Sequence, residues 1–402
     1  MKILHTGDWH MNDRLGRIER GDHIVRALER VAGYLDERGV DVMVVAGDLF
    51  CDRSSKEDLR QAVGHIKRIF GPFLLRGGTI VAISGNHDSD VFFETLRDTL
   101  ELAPAQVEPD GTASRGRLHL FARPALLRLA DGAGVIVQFA LMPYPNAAFL
   151  RDTAFESASE QNQAIQQRFT RYLNEKMLPQ INKSQPTVLV SHVHVRGVTP
   201  RSGFRVTEEQ DVVFEPGDIP THFAYVAYGH IHQAQTAVPN APWVRYCGSV
   251  ERLDAGEKED DKSVVLVEVG PAGRVGEPEL LPLASTPIYQ IVIEDPDTQI
   301  AGLAAKYPDA QNALVHYTLH YQPGTHNLDA LRREIHAQFP FWYGYDPQRR
   351  RGPNDAPPSP PPNLANVQKT VRDYLAPRLA GDPNRDDLLN LMNDLMSEEA
   401  TA

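Results

Sequence analysis

Met1-Lys2-Ile3-Leu4-His5-Thr6-Gly7-Asp8-Trp9-His10 opens the chain, and the fold follows from how this stretch is read. Residues 3–6 form a short run ahead of a glycine, the pattern of a parallel strand buried on both faces. Gly7 allows the backbone to turn sharply out of that strand. Asp8 and His10 then place a carboxylate and an imidazole on one short loop, two residues apart, so that both can reach into one space.

Working outward, the pattern repeats. Residues 42–46 and 80–84 are further apolar runs rich in β-branched side chains, followed by Gly47 and Gly85. Between them, Ile24, Leu28, Val31 and Leu35 recur at helical spacing, as do Leu59, Val63, Ile66 and Phe70. Strand–helix–strand alternation predicts an α/β sheet with function at the carboxyl ends of its strands. Farther along, Ile165, Phe169, Tyr172 and Leu173 line one helical face. Residues 187–190, 224–227, 244–247 and 263–269 read as strands.

Five segments sit at predicted strand ends: Gly7-Asp8-Trp9-His10, Gly47-Asp48-Leu49-Phe50, Gly85-Asn86-His87-Asp88, Ser191-His192-Val193-His194 and Gly229-His230-Ile231-His232. Each begins with a small residue and each supplies oxygen or imidazole donors. That mixture suits divalent ions such as Mn²⁺ or Fe²⁺, and a carboxylate between two cations, here Asp48, is the natural bridge. A single buried histidine is more often a satisfied core residue than a ligand. Five such segments on one strand–helix pattern are not a chance arrangement. His5, His23, His65 and His119 read as structural or surface residues.

With 402 residues, 42% hydrophobic and 23% charged, the chain can hold one large domain plus one or two smaller ones. Cys51 and Cys247 are its only cysteines, which excludes a disulfide framework or a cysteine-rich zinc site. No leader is expected, and no apolar stretch approaches the ~18 residues of a membrane helix, so a cytoplasmic protein is expected. The net charge of −12 counts against a generally basic nucleic-acid coat, though not against a local basic groove.

From about residue 286 the pattern changes to a small α+β unit with strands near 288–293 and 313–321 and a helix near 328–338. Residues 346–363 read as a linker, holding seven of the chain's thirty prolines and Arg349-Arg350-Arg351. Two amphipathic helices follow. Leu364, Val367, Val371, Leu375 and Leu379 stripe the first, which Pro377 should kink or shorten; Leu388, Leu391, Met392, Leu395 and Met396 stripe the second. Such a tethered apolar hairpin suits docking either on its own domain or on a partner.

The five segments, in this order, resemble the calcineurin-like metallophosphoesterase superfamily. The resemblance implies a four-layer α/β/β/α sandwich with two metals at one sheet edge and a two-metal, in-line attack on phosphorus. It assigns one metal to Asp8, His10, Asp48 and His232 and the other to Asp48, Asn86, His192 and His230. His192 is preferred to His194 because the family's ligand directly follows the small residue that ends the strand. His87 would protonate or stabilise the leaving oxygen, and Asp88 would hold its imidazole in the working tautomer.

The flanking sequence narrows the resemblance further. The opening Ile3 to His10, the stretch from Tyr225 through Gly229-His230-Ile231-His232-Gln233-Ala234-Gln235 to Cys247-Gly248-Ser249, and Lys262-Ser263-Val264-Val265-Leu266-Val267 are similar to SbcD-type DNA nucleases. That resemblance implies a phosphoesterase domain over 1–285, a capping domain over 286–345, and helices at 364–402 that bind an SbcC-like coiled-coil ATPase. It also implies a homodimer within a heterotetramer, associated with the nucleoid, acting on DNA ends and hairpins with Mn²⁺. The site motifs themselves equally suit a stand-alone phosphodiesterase or phosphatase of a small phosphoester. Cys51 stands where related nucleases carry a histidine or an acid, and residues 106–117 and the linker match nothing in the family. Arg14, Arg17 and Arg20, and Arg196, Arg201 and Arg205, are candidate phosphate contacts.

Overall fold

A computed structural model describes residues 1–52, 54–102, 115–145, 157–198, 211–218, 223–350, 367–379 and 384–398. The first unit, Met1–Arg349, is built on two six-stranded sheets. In one, the order is Gly273–Leu283, Lys262–Gly270, Lys2–Thr6, Val42–Ala46, Thr79–Ile83 and Leu118–Phe121. The last four run parallel, and Lys262–Gly270 pairs antiparallel to Lys2–Thr6. In the other, the order is Gln235–Thr236, Val244–Tyr246, Tyr225–Gly229, Thr187–His192, Ile136–Met142 and Ala125–Ala130.

Alternation along each strand assigns side chains to layers. Ile3, Val44, Ala46, Val81 and Ile83 point between the sheets and meet Phe139, Leu141, Val188, Val190 and Ala227 there. Their neighbours Leu4, Met43, Val45, Ile80 and Ala82 point outward, beneath Ile24, Leu28, Val31, Ile69 and Phe70 of the helices Gly21–Glu37 and Lys56–Leu75. On the far side, Ala140, Leu189 and Val226 lie under Ile165 and Phe169 of the helix Ala158–Tyr172. The result is an α/β/β/α sandwich. Ser55 and Asp58 form a reciprocal cap at the start of Lys56–Leu75, which fixes where that helix leaves the Asp48 loop.

The small α+β unit holds three parallel strands, Ile288–Ile293, Leu314–Tyr321 and Trp342–Arg349, with the helix Leu328–Gln338 packed over Ile291, Val315, Tyr317 and Leu319. The third strand departs from the sequence expectation. It runs to Arg349, taking in the first four residues of the expected linker, because residues 346–349 continue the ladder with Leu314–Tyr321. A hairpin formed by Arg14–Leu15 and Ile18–Glu19 reaches this unit. Ile18 packs with Ile288 and Leu314, and the Arg17 guanidinium lies 4.5 Å over the Trp342 ring.

The second unit, Arg350–Ala402, contains the helices Val367–Arg378 and Arg385–Glu398. The first carries Pro377 in its last turn and ends at Arg378, with the Leu379 N–H still donating to the Leu375 carbonyl at 3.0 Å. Leu364, residues 106–114 and most of the linker lie outside the described residues.

Candidate metal centre

The five sequence segments converge at one edge of the sandwich, where strands of both sheets end. Asp8, His10, Asp48 and His230 all adopt positive φ, at 49°, 44°, 51° and 96°, a costly conformation for non-glycine residues that is held by its surroundings. The loops brace one another: Trp9 and His10 donate their backbone N–H groups to the Asp48 carbonyl at 2.8 and 3.0 Å. The His230 N–H donates to Asp8 Oδ1 at 2.9 Å. Trp9, buried against Phe70, anchors the first loop through its Nε1–H to Thr6 Oγ1.

The small residues that open the segments serve clearance as much as turning. A Cβ at Gly85 would lie 2.1 Å from Asp48 Oδ1, and one at Gly229 would lie 2.0 Å from the Ala46 carbonyl oxygen. Neither has a positive φ; each is glycine because another loop passes through the space of its side chain.

The donor geometry forms two groups that share Asp48. In the first, His10 Nε2 is 3.2 Å from His232 Nε2 and 3.5 Å from Asp48 Oδ2, and the donor atoms of Asp8, His10 and His232 lie within 4.8 Å of one another. In the second, His192 Nε2 is 2.9 Å from Asn86 Oδ1 and 3.2 Å from Asp48 Oδ2, and His230 Nδ1 is 3.0 Å from Asn86 Oδ1. The outer nitrogens of three imidazoles are already spent. His192 Nδ1–H donates to the Ala46 carbonyl at 2.7 Å, His232 Nδ1–H to Glu257 at 2.8 Å, and His230 Nε2–H to Asp211 at 2.7 Å. Each ring therefore turns its other nitrogen inward, the one left to a cation.

Charge and burial agree with a cation-binding role. Asp8 Oδ2 is buried and accepts no hydrogen bond. Burial works to deprotonate His192 and His232, yet Asp48 carries the first up to about 9, and Glu257 does the same for the second. Without an ion the inward nitrogen of each is thus held protonated, and a bound cation would take that proton's place. Burial holds His10 down to about 3, neutral as a ligand must be. Asp48 is held well below its usual range, against its burial, by His192 and its neighbours. Oxygen and imidazole donors converging around an orphaned carboxylate oxygen fit two divalent ions.

His87 lies beside this cluster, its ring 5.0 Å from that of His10. Asp88 departs from its expected role. Its carboxylate accepts the backbone N–H groups of Leu49, Phe50 and Gly85 at 3.2, 2.9 and 2.9 Å, so it ties two ligand loops together. The carboxylate near His87 Nδ1, at 3.9 Å, belongs to Asp52. Cys51 Sγ sits 3.8 Å from Asp13 Oδ1 and from Asp52 Oδ1. His194 turns to Asp211 Oδ2 at 3.1 Å. Asp211 and Glu257 are not legible in the sequence, since neither belongs to one of the five strand-end motifs; Lys262, whose Nζ lies 2.6 Å from Glu257, falls in a stretch that carries the resemblance but had no role there. Among the arginine candidates, Arg20 is fully buried and bonded to the Arg252 carbonyl, which removes it as a phosphate contact. Arg14 and Arg196 pair with Glu19 and Glu215, and Arg201 and Arg205 lie outside the described residues.

The sequence profile of the Calcineurin-like phosphoesterase family matches residues 1–234. The chain belongs to that family. With the donor cluster above, it is a metal-dependent hydrolase of phosphoesters. It is 25% identical over 301 residues to the SbcD subunit of the SbcCD nuclease of Bacillus subtilis (strain 168), covering 72% of each chain. It is 27% identical over 279 residues to the protein of the same name from Rhodobacter capsulatus, covering 67% of this chain and 66% of that one. Among the described residues, no helix of this phosphoesterase is long and apolar enough to cross a membrane.

Proposed function

We propose that the chain is the nuclease component of an SbcCD-like complex, a metal-dependent exonuclease and endonuclease that cuts DNA phosphodiesters at ends and hairpins. The observation that carries the proposal is the pair of donor groups sharing Asp48, set in a chain similar along two thirds of its length to the SbcD proteins of two bacteria. Asp8, His10, Asp48 and His232 would hold one ion, and Asp48, Asn86, His192 and His230 the other, with Mn²⁺ the proposed metal.

Two bound divalent ions supply charge stabilisation at the phosphoryl oxygens and an activated water for in-line attack. The chain's own residues do the rest. His87, with Nδ1 toward Asp52, gives a proton to the leaving oxygen. Asp88 acts at one remove, by holding the Asn86 and Asp48 loops in register. The α+β unit caps the site, and the helices Val367–Arg378 and Arg385–Glu398 dock an SbcC-like ATPase in a heterotetramer containing two copies of this chain, on DNA at the nucleoid.

The test is cleavage of linear duplex and hairpin DNA by the purified chain with Mn²⁺, with and without the partner ATPase, beside a small diester. DNA cleavage stimulated by the ATPase and lost on His87→Ala is expected. Full activity on the small diester with none on DNA, even with the ATPase present, would replace the proposal with a stand-alone phosphodiesterase.

A further inference from the structure

The short strands His194–Val195 and Val213–Phe214 pair in parallel outside both main sheets. His194 stands opposite Val213, the Arg196 N–H donates to the Phe214 carbonyl at 2.8 Å, and Phe214 is buried against Phe169 with ring centroids 4.8 Å apart. This pairing sets Asp211 beside His194 and hangs both next to His230.

Asp211 is 5% exposed, and its carboxylate is fully engaged. Oδ2 lies 2.7 Å from His230 Nε2 and 3.1 Å from His194 Nδ1. Oδ1 accepts the Val212 N–H at 2.8 Å and the Tyr144 hydroxyl at 3.3 Å. The Tyr144 ring stacks over His230, centroids 6.0 Å apart. An ionised carboxylate only accepts hydrogen bonds, so the imidazole nitrogens facing it are the donors. His230 therefore carries its hydrogen on Nε2 and its lone pair on Nδ1, the nitrogen 3.0 Å from Asn86 Oδ1.

We propose that Asp211 is a positioning residue of the metal centre, selecting the His230 tautomer and ring orientation that present Nδ1 to the ion shared with Asn86, His192 and Asp48. The proposal rests on the metal reading above. A neutral imidazole in water exchanges its proton between two nitrogens and its ring can turn; Asp211 removes both freedoms before the ion arrives. His194 and Tyr144 hold the carboxylate in turn. The same three side chains, His194, Asp211 and His230, also lie close enough to hold a cation themselves. Such an ion would need a lone pair on His230 Nε2, whereas that nitrogen, 2.7 Å from Asp211, carries the hydrogen it donates to the carboxylate.

The test uses the full chain, without substrate, titrated with Mn²⁺ while free Mn²⁺ is followed by electron paramagnetic resonance. The wild type is expected to bind two ions. Asp211→Ala should weaken one of them about 10–100-fold, the usual effect of removing the partner behind a ligating imidazole, and leave the other within a factor of about 3. Asp211→Asn, which keeps an acceptor oxygen for Nε2–H, should recover much of the loss. A merely structural role would weaken both ions together, and that result, or two unchanged affinities, overturns the proposal. A third ion lost on Asp211→Ala overturns it in favour of a cation between His194 and His230. Independently of how the variants fold, a long-range ¹H–¹⁵N spectrum of the Zn²⁺-loaded wild type should show the His230 proton on Nε2; a proton on Nδ1 overturns the assignment. A wild type that binds no ion at all defeats the metal reading itself, an outcome separate from two ions bound with Asp211 irrelevant.

Discussion

Gly85→Ala should abolish most activity while leaving the chain folded. A methyl at this position would lie 2.1 Å from Asp48 Oδ1 and 2.5 Å from the Asp48 backbone nitrogen. A Cβ essentially never comes closer than 3.0 Å to such an atom, so the Asp48 carboxylate and the Gly85 loop must separate by about 0.9 Å at least. Metal–ligand distances tolerate about 0.2 Å, so a displacement several times larger removes Asp48 as a bridge. Misplacement by about 1 Å at a reacting centre costs roughly 100-fold in rate, and forcing a methyl into filled space costs about 1–3 kcal/mol. The assay is Mn²⁺-dependent hydrolysis of a chromogenic phosphodiester, with thermal unfolding of the metal-free chain alongside. At least a 100-fold fall in kcat with a melting point lower by a few degrees is expected. Gly64→Ala is the control: it sits exposed within the helix Lys56–Leu75 with open space where its Cβ would go. It should raise stability by about 0.5–1 kcal/mol and leave activity alone. If Gly85→Ala retained wild-type kcat and Mn²⁺ affinity, the argument that loop clearance sets the position of Asp48 would be wrong.

His87→Ala should lower kcat by about 10²–10⁴-fold while both Mn²⁺ affinities, measured by titration, stay within a few-fold: a ring nitrogen of His87 lies within 4.8 Å of donor atoms of His10 and Asp48, but Asp8, His10, Asp48 and His232 supply the first ion's donors without it. Mn²⁺ at 100 times its dissociation constant should stabilise the chain by about 2.7 kcal/mol per site, seen as a rise in melting temperature; no rise would contradict the site. Acid should destabilise the fold through His5, which burial holds down to about 3 against 6.5 for an ordinary histidine. The unfolded chain then binds a proton that the folded chain refuses. This contribution is intact above pH 6.5 and is lost by roughly 1.4 kcal/mol per unit as pH falls toward 3. Urea unfolding at pH 7, 6 and 5 should show a shallower acid limb for His5→Gln; parallel limbs would refute the assignment. Truncation after Arg349, the end of the third strand of the α+β unit, should keep hydrolysis of the small diester and lose capture of the ATPase. Truncation after Tyr345 cuts into that strand and should also lower stability.

The donor residues were legible because metal ligation at strand ends uses a small vocabulary: a short apolar run, a small residue, then an oxygen or imidazole. Asp8, His10, Asp48, Asn86, His192, His230 and His232 all follow it, and the structure brings all seven to one edge. The strand Ile136–Met142, central to the second sheet, escaped because Gln138 interrupts its apolar run. Gln138 is nevertheless fully buried, its amide donating to the Asn182 carbonyl and Thr187 Oγ1, so tertiary satisfaction overrode the local signal. The linker boundary failed at residue 346 because proline and arginine at a sheet edge resemble a loop: an edge strand tolerates both.

The carboxylates behind the histidines were invisible for a different reason. Glu257 and Asp211 are set by folding, 25 and 19 residues from His232 and His230, and no spacing rule links them. Asp88 shows the limit from the other side. It stands directly after His87, and adjacency suggested a partner for that ring. Successive residues leaving a strand point in different directions, however, and Asp88 turns inward. There, burial and Asp48 push it up to about 7 against three backbone N–H groups. By joining Gly85 to Leu49 and Phe50, it couples the loop carrying Asn86 and His87 to the loop carrying Asp48. Its place in the motif thus reflects the distance between two ligand loops, and Asp88→Asn should disturb both ion affinities at once, unlike Asp211→Ala, which should disturb only one.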